Sequence, residues 1–374
     1  MSTRNSGPIV LNGRFSGTRQ PTGTQTAAFG LFDGLIREPR ERTVVIFADP
    51  RFDGVQAWAD VPNTTLITVP FQDWSRSRAQ LWEQFVFPMR SLKLGAAIAH
   101  HPITTCPVWQ AGVTTVVTLH DLNFYRHPEW YSRSFRLVYH LFALPGIRRA
   151  ESVVTISDYV RGQILGCLHL PGEKVKRIYN GVKARPEPTD TTNEKRPPYV
   201  LCVGSLQPHK NLPRLIRAYL QLRTDFPDLE LWVVGRPQPR FSDQAELTEL
   251  LKAPGVKLLG YLSEADLMAA YRHARVFCYP SLEEGFGLPL LEAMLSRTLV
   301  VTSNLSCLPE IAGPACELVD PLDETAIAQS LRKTLSFSEE ERQQRLVEGL
   351  AWAERFSWKN AAQEYLAHYE TLLA

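Results

Sequence analysis

Glu284 and Glu292 stand eight residues apart in the run Ser281-Leu-Glu-Glu-Gly-Phe-Gly-Leu-Pro-Leu-Leu-Glu-Ala-Met294. The run follows Arg275-Val-Phe-Cys-Tyr-Pro280, whose composition is that of a buried strand. Gly285 and Gly287 let the backbone turn and let a ligand approach it closely. Pro289 suits the first turn of a helix, where a missing N–H costs nothing. Strand, glycine turn and helix follow in order, and the unpaired N–H groups at such a helix start favour an anion, most simply a phosphate. One carboxylate lies just before the turn and the other about one turn into the helix. A ligand with a phosphate in its middle and hydroxyls at both ends matches that layout, and nucleotide-sugars have that shape. Glycine before a helix is common in any α/β protein, and surface glutamates are usually solvated. The full string, with Pro289 and Ala293-Met294, is far more specific than a lone pair of glycines.

Two more stretches carry chemistry. In Tyr199-Val-Leu-Cys-Val-Gly-Ser-Leu-Gln-Pro-His-Lys-Asn211 a buried strand ends at Gly204, and Lys210 precedes an amphipathic helix marked by Leu212, Leu215, Ile216, Tyr219 and Leu220. An ammonium is a compact charge suited to a pyrophosphate. Taken alone it reads as a solvated lysine; its place relative to the Gly285–Gly287 turn reverses that. Thr114-Thr-Val-Val-Thr-Leu-His-Asp-Leu122 puts His120 at the carboxyl end of another buried strand. Most of the nine histidines read as structural, His127 among them. Asp121 either orients the His120 ring or caps the next turn.

These residues need strands to carry them. Short β-rich runs alternate with helical patterns, which predicts parallel sheets with helices on both faces. Strands are expected at 44–47, 66–69, 96–99, 115–119 and 153–156, then at 199–203, 229–234, 256–259, 276–279, 299–302 and 317–319. Between the sets, 184–198 is polar, proline-rich and aperiodic, as an interdomain linker is. The expected architecture is two doubly wound domains, 1–183 and 199–352. Ligands of open α/β sheets bind beyond the carboxyl ends of strands, here in a cleft between domains.

The motifs together resemble the donor-binding signature of the retaining glycosyltransferases of family 4, which have the GT-B fold. The resemblance covers most of the chain and is strongest from about 199 to 321. It implies that Lys210 contacts the donor diphosphate. Glu292 would accept hydrogen bonds from both ribose hydroxyls, and such charge-assisted bonds are strong. Glu284 would lie against the donor sugar, with the amides of Gly285, Phe286, Gly287 and Leu288 on sugar hydroxyls and phosphate. Many members have arginine directly after the glycine equivalent to Gly204, where this chain has Ser205; His209 or Arg236 are the candidates for the missing cation. The His120 imidazole would touch the donor sugar or the acceptor hydroxyl. A glycine-rich stretch, 14–25, matches a family loop that faces phosphates and acceptor, with Gly23 and Thr24 best placed. The C-terminal helix, 353–374, would cross back onto the first domain.

Bulk properties set limits. At 374 residues the chain holds two ordinary domains. A formal net charge of +2 gives no case for nucleic acid binding. None of the six cysteines forms a C-x-x-C pair, and a reducing cytosol fits them. The first eight residues lack the apolar core of a secretion signal. The basic, aromatic-rich segment 133–149 has two readings, a helix packed on the sheet, which is preferred, or a peripheral contact with an anionic membrane.

The expectation is therefore a metal-independent, retaining hexosyltransferase of the cytoplasm. It takes a nucleoside-diphosphate sugar, with GDP-mannose as the leaning, and a hydroxyl of a glycan or lipid-linked glycan. No Asp-x-Asp metal motif stands out, and no cofactor is expected. The alternatives are an epimerase or phosphorylase on the same fold, or a non-catalytic partner subunit.

Overall fold

The computed structural model describes residues 6–19, 21–128, 132–183, 197–236 and 245–374. Positions 184–196 of the expected linker lie outside the described residues. The chain divides into two compact units, Met1–Lys183 with Ser357–Ala374, and Ala184–Phe356.

The first unit is a seven-stranded parallel sheet. Its strands are β1 (Ile9–Gly13), β2 (Val44–Ala48), β3 (Thr64–Thr68), β4 (Ile98–His101), β5 (Thr114–Leu119), β6 (Ser152–Thr155) and β7 (Val175–Arg177), in the order β3-β2-β1-β4-β5-β6-β7. The second unit holds β8 (Tyr199–Val203), β9 (Glu230–Val234), β10 (Val256–Gly260), β11 (Val276–Tyr279), β12 (Val300–Ser303) and β13 (Glu317–Val319), ordered β10-β9-β8-β11-β12-β13. Central strands such as β2 and β8 are buried on both faces, so they read as unbroken apolar runs.

Two strands were not foreseen. β1 has only three apolar residues before Asn12-Gly13, too few to show a period. β7 is three residues long at the sheet edge and carries Lys176 and Arg177, as an edge strand can. β4 begins two residues later than expected, because the preceding helix Phe87–Lys93 leads into a left-handed Gly95 (φ +63°).

Register assigns the faces of the first sheet. Val10 pairs with Ala99, and His101 with Val117, so these four side chains share one face. Two helical segments cover it. One runs Arg76–Leu81, Trp82–Val86 and Phe87–Lys93, and inserts Trp82 and Phe87. The other runs Arg133–Val138, Tyr139–Ala143 and Leu144–Arg149, and inserts Ala143, Leu144 and Ile147. Each has a wide π turn in its middle and a proline just after it, Pro88 or Pro145. A proline has no N–H to donate and crowds the carbonyl one turn back, and a widened turn relieves both. The opposite face is covered by the helices Gly23–Arg37 and Trp358–Leu373. They meet closely because Gly30 has no side chain: a Cβ there would stand 2.2 Å from the Trp358 ring. From the C-terminal helix, the Tyr365 and Tyr369 hydroxyls hydrogen-bond Thr118 (2.9 Å) and His100 (2.7 Å) beneath.

In each sheet the strand order reverses once, between β1 and β4 and between β8 and β11. These are the switch points at which doubly wound sheets bind ligands.

Candidate functional site

In the second unit, the chemistry collects at the carboxyl ends of β8 and β11. β8 runs into Gly204, and the end of β9 runs into Gly235. A Cβ on Gly235 would lie 1.9 Å from the Gly204 carbonyl oxygen, so the two backbones can meet only without one. The stem of Lys210 crosses Gly204, with its Cε 3.4 Å from where a Cβ would stand.

Lys210 closes the short 3-10 turn Pro208–Lys210, and Asn211 follows in the left-handed conformation (φ 58°). Asparagine tolerates that conformation better than most residues. Its buried amide donates to the carbonyls of Pro280 (3.0 Å) and Pro321 (2.6 Å), which pins the turn to the loops after β11 and β13. The lysine is therefore aimed by its neighbour. Its Nζ donates to the Tyr279 hydroxyl at 2.6 Å and to Glu284 Oε1 at 2.6 Å.

This pair is nearly closed off, with side-chain exposures of 14% for Lys210 and 12% for Glu284. Burial opposes ionisation of Glu284. The Lys210 ammonium, His209, and hydrogen bonds from Lys210 and Tyr279 outweigh it and hold the carboxyl below its usual range. Burial and the adjacent Glu284 charge push the Tyr279 phenol well up, so it stays protonated. Two of the three ammonium protons are used, and the third is left for a ligand.

Gly287 caps the helix Leu288–Leu295 with φ 90°, and a Cβ there would meet Leu308 Cδ2 at 2.9 Å. Pro289 lies in the first turn. Phe286 turns its ring inward onto Phe356 (6.0 Å), so it can offer a ligand only its backbone. Gly285 and Leu288 are half-buried. Glu292 follows one turn into the helix. It is half-buried, and its Oε2 accepts a hydrogen bond from Tyr271 at 3.0 Å.

Of the two candidates for a second cation, His209 lies close enough to act on Glu284, whereas the exposed Arg236 guanidinium lies over the Tyr261 ring at 5.4 Å. Ser205 is half-buried. Sequence reasoning did not single out Tyr271 and Tyr279. A buried tyrosine must place its hydroxyl on a partner, but nothing in a strand or helix pattern names that partner.

In the first unit His120 is 6% exposed. Its Nε2 donates to the Pro102 carbonyl at 2.8 Å. Burial lowers its pKa against that bond, so the ring is neutral and Nδ1 is left as an acceptor. Asp121 Oδ1 caps the next turn by accepting the Asn123 N–H at 2.9 Å. Gly23 and Thr24 open the helix Gly23–Arg37, with the Gln25 side chain accepting the Thr22 N–H at 2.9 Å. A Cβ on Gly23 would meet nothing within 4 Å.

A buried carboxylate, Glu83, ties the chain before that helix to the loop after β4. It accepts from Asn12 (2.8 Å) and Thr105 (2.8 Å), and Arg14 lies 3.2 Å away. Burial opposes its charge, but Arg14 and His101 hold its carboxyl below the usual range. Glu83 was not foreseen either, because its partners come from two distant stretches, Asn12 with Arg14 and His101 with Thr105.

Comparison with known proteins gives matches along the chain. The family described as Glycosyltransferase Family 4 matches residues 21–185, and Glycosyl transferases group 1 matches 185–349. The O-antigen chain mannosyltransferase B of Escherichia coli is 30% identical over 275 residues, which is 69% of this chain and 70% of that one. The O-antigen chain mannosyltransferase RfbU of Salmonella typhimurium is 30% identical over 58% of this chain, which spans 59% of its length. Among solved structures, sucrose-phosphate synthase of Thermosynechococcus elongatus superposes with a TM-score of 0.75 at 20% identity, over 98% of this chain and 99% of the other.

Proposed function

The chain belongs to glycosyltransferase family 4, and we propose that it moves a mannosyl unit from GDP-mannose to a hydroxyl of a glycan or lipid-linked glycan, with retention of anomeric configuration. The observation that carries this reading is the cluster at the β8/β11 switch point. There Lys210, Tyr279 and Glu284 converge beside a glycine-capped helix start, with Glu292 one turn further on. Two relatives named as mannosyltransferases support the sugar.

In the proposed reaction the diphosphate lies on the amides at the Gly287 turn and on the remaining Lys210 proton. Glu292, held by Tyr271, takes the ribose hydroxyls. Glu284 takes a sugar hydroxyl on the oxygen that Lys210 leaves open. The acceptor hydroxyl attacks the anomeric carbon from the face the diphosphate leaves, and the departing oxygen takes the acceptor proton. Negative charge grows on the diphosphate, where oriented donors stabilise it most. His120, neutral with Nδ1 as an acceptor, is assigned a hydroxyl of the sugar or the acceptor. Lys210 and the helix start supply the charge stabilisation, and magnesium has no part in the scheme. The six free cysteines, five of them buried, suit a reducing compartment such as the cytoplasm. Among the described residues no helix is long and apolar enough to cross a membrane.

A thermal-shift panel of nucleoside diphosphates and their sugars, with and without magnesium, tests the scheme. A ligand at a hundred times its Kd stabilises the folded state by about 2.7 kcal/mol. GDP and GDP-mannose should shift the transition without magnesium. A shift only with uridine compounds would overturn the donor, a shift only with magnesium would overturn metal independence, and no shift would overturn the site. NMR of the product's anomeric proton decides retention.

A further inference from the structure

The two helical segments on the Val10/Val117 face of the first sheet leave their outer sides bare. Leu81, Phe85, Met89 and Leu92 form a stripe along one and are 57%, 57%, 39% and 36% exposed. Leu137 and Leu141, one turn apart on the other, are 58% and 56% exposed. The two segments are joined by the chain between them. Gln84 hydrogen-bonds Cys106 and Val108, and Gln110 donates to the Gly146 carbonyl at 3.0 Å. Trp109, 50% exposed, stands on that bridge. Eight of the sixteen large apolar side chains that the described residues expose lie on these three pieces.

The exposed charges of the two segments have one sign. Arg76, Arg78, Arg90 and Lys93 on the first segment, and Arg133, Arg136, Arg148 and Arg149 on the second, are all exposed. The acidic residue of the two segments is Glu83, which is fully buried against Arg14. Eight exposed positive charges therefore lie on these two segments, in a chain whose net charge is +2.

We propose that this face seats on an anionic lipid bilayer, with the apolar stripe entering the headgroup boundary and the arginines and lysine meeting lipid phosphates. Helices with apolar residues on one side and Lys/Arg along it lie in the plane of a membrane surface in this way. A second copy of the chain is a poor occupant, because it would bring eight like charges against eight. A nucleic acid would leave the leucines and Phe85 against phosphate. The inference does not depend on the donor or on the reaction.

The test is co-sedimentation of the full chain with phosphatidylcholine vesicles, with and without phosphatidylglycerol. Binding is expected only with the anionic lipid, and should fall as salt rises. Each basic residue at such a surface is worth about fivefold in affinity, so Arg90→Gln/Lys93→Gln should bind roughly 25-fold more weakly. Phe85→Ser/Leu137→Ser should also bind more weakly while keeping the circular dichroism and the nucleotide-induced thermal shift of the parent. Failure to sediment with anionic vesicles at low salt overturns the proposal. So does equal binding to neutral vesicles that the double charge variant leaves unchanged. A concentration-dependent dimer that Phe85→Ser dissociates, without vesicle binding, would give the face to a second copy instead.

Discussion

Removing the Lys210 ammonium should turn Glu284 from a held carboxylate into a stranded one. In Lys210→Met the stem still covers Gly204, so packing changes little. Glu284, 12% exposed, keeps only Tyr279 and His209 to offset its burial. Breaking a buried ion pair from one side costs about 3–5 kcal/mol. For a unit of this size 1 kcal/mol moves Tm by roughly 2–4 °C, so the lower figure predicts a fall of about 6–12 °C. Glu284→Gln should cost less, because the lysine keeps Tyr279 and a path to water. The double variant Lys210→Met/Glu284→Gln should recover most of the loss, with a coupling of about 2–3 kcal/mol. The pH dependence has a definite sign. The folded-state pKa of Glu284 lies below its ordinary 4.5, so the pair's contribution is present above that pH and is lost as pH falls through the folded value. The deficit of Lys210→Met relative to the parent should therefore shrink in acid. Denaturant unfolding of the four proteins at neutral and acid pH measures all of this. Additivity within about 0.5 kcal/mol, or a deficit unchanged below pH 4.5, would refute the argument.

Glu292→Ala should weaken nucleotide binding by roughly 10- to 150-fold, the worth of one charged hydrogen bond, whereas Tyr271→Phe should give a smaller loss; titration calorimetry that finds the two equal would remove the ribose role. His120→Ala should lower kcat with little change in donor affinity, and steady-state kinetics showing the reverse would move His120 to the donor. Gly287→Ala, at φ 90° and 2.9 Å from Leu308, should lose about 1–2 kcal/mol of stability together with donor binding. Gly23→Ala meets nothing within 4 Å and should fold normally, so a fall in its turnover would point to a ligand approaching that backbone. His100, His101 and His120 all have their pKa pushed down by burial. Stability should be full above the ordinary 6.5 and fall as pH drops below it, by up to about 1.4 kcal/mol per pH unit for each ring; a flat unfolding free energy across that range would contradict their burial as neutral rings.

What the sequence made legible was local. β8, β11 and the turn between Glu284 and Glu292 each occupy one short window, and apolar runs, glycine and Pro289 signal them directly. Lys210 and Glu284 are 74 residues apart, yet their motifs marked both, because each follows directly on a strand end. Partners that depend on register were not legible. Tyr279 looks like any strand residue until β11 lies beside β8, and Tyr271 like any helix residue until its helix meets the one bearing Glu292. The segment 133–149 offered two readings from its composition, and the fold shows the packing of the first. Ala143, Leu144 and Ile147 pack on the sheet, and Leu137 and Leu141 face outward. The π turn at Tyr139–Ala143 holds both kinds, the exposed Leu141 and the buried Ala143.

The ion pair bears on the proposed chemistry in a way the motif alone does not suggest. A lone lysine at the strand mouth would hold the ground-state diphosphate strongly, and interactions equally strong in ground and transition states do not raise kcat. With Glu284 at 2.6 Å the pair carries no net charge, so in the proposed scheme the pull on an arriving donor falls to the helix-start amides. As the sugar–phosphate bond breaks, negative charge grows on the leaving oxygen and positive charge on the sugar ring. In the proposed scheme a lysine and a glutamate already held side by side meet one developing charge each and gain together without a side chain having to move. That differential is what preorganised donors contribute. On the proposed scheme Ser205 fits as well: a second fixed cation there would strengthen ground-state binding, while the Lys210–Glu284 pair is assigned to the separated charges of the transition state.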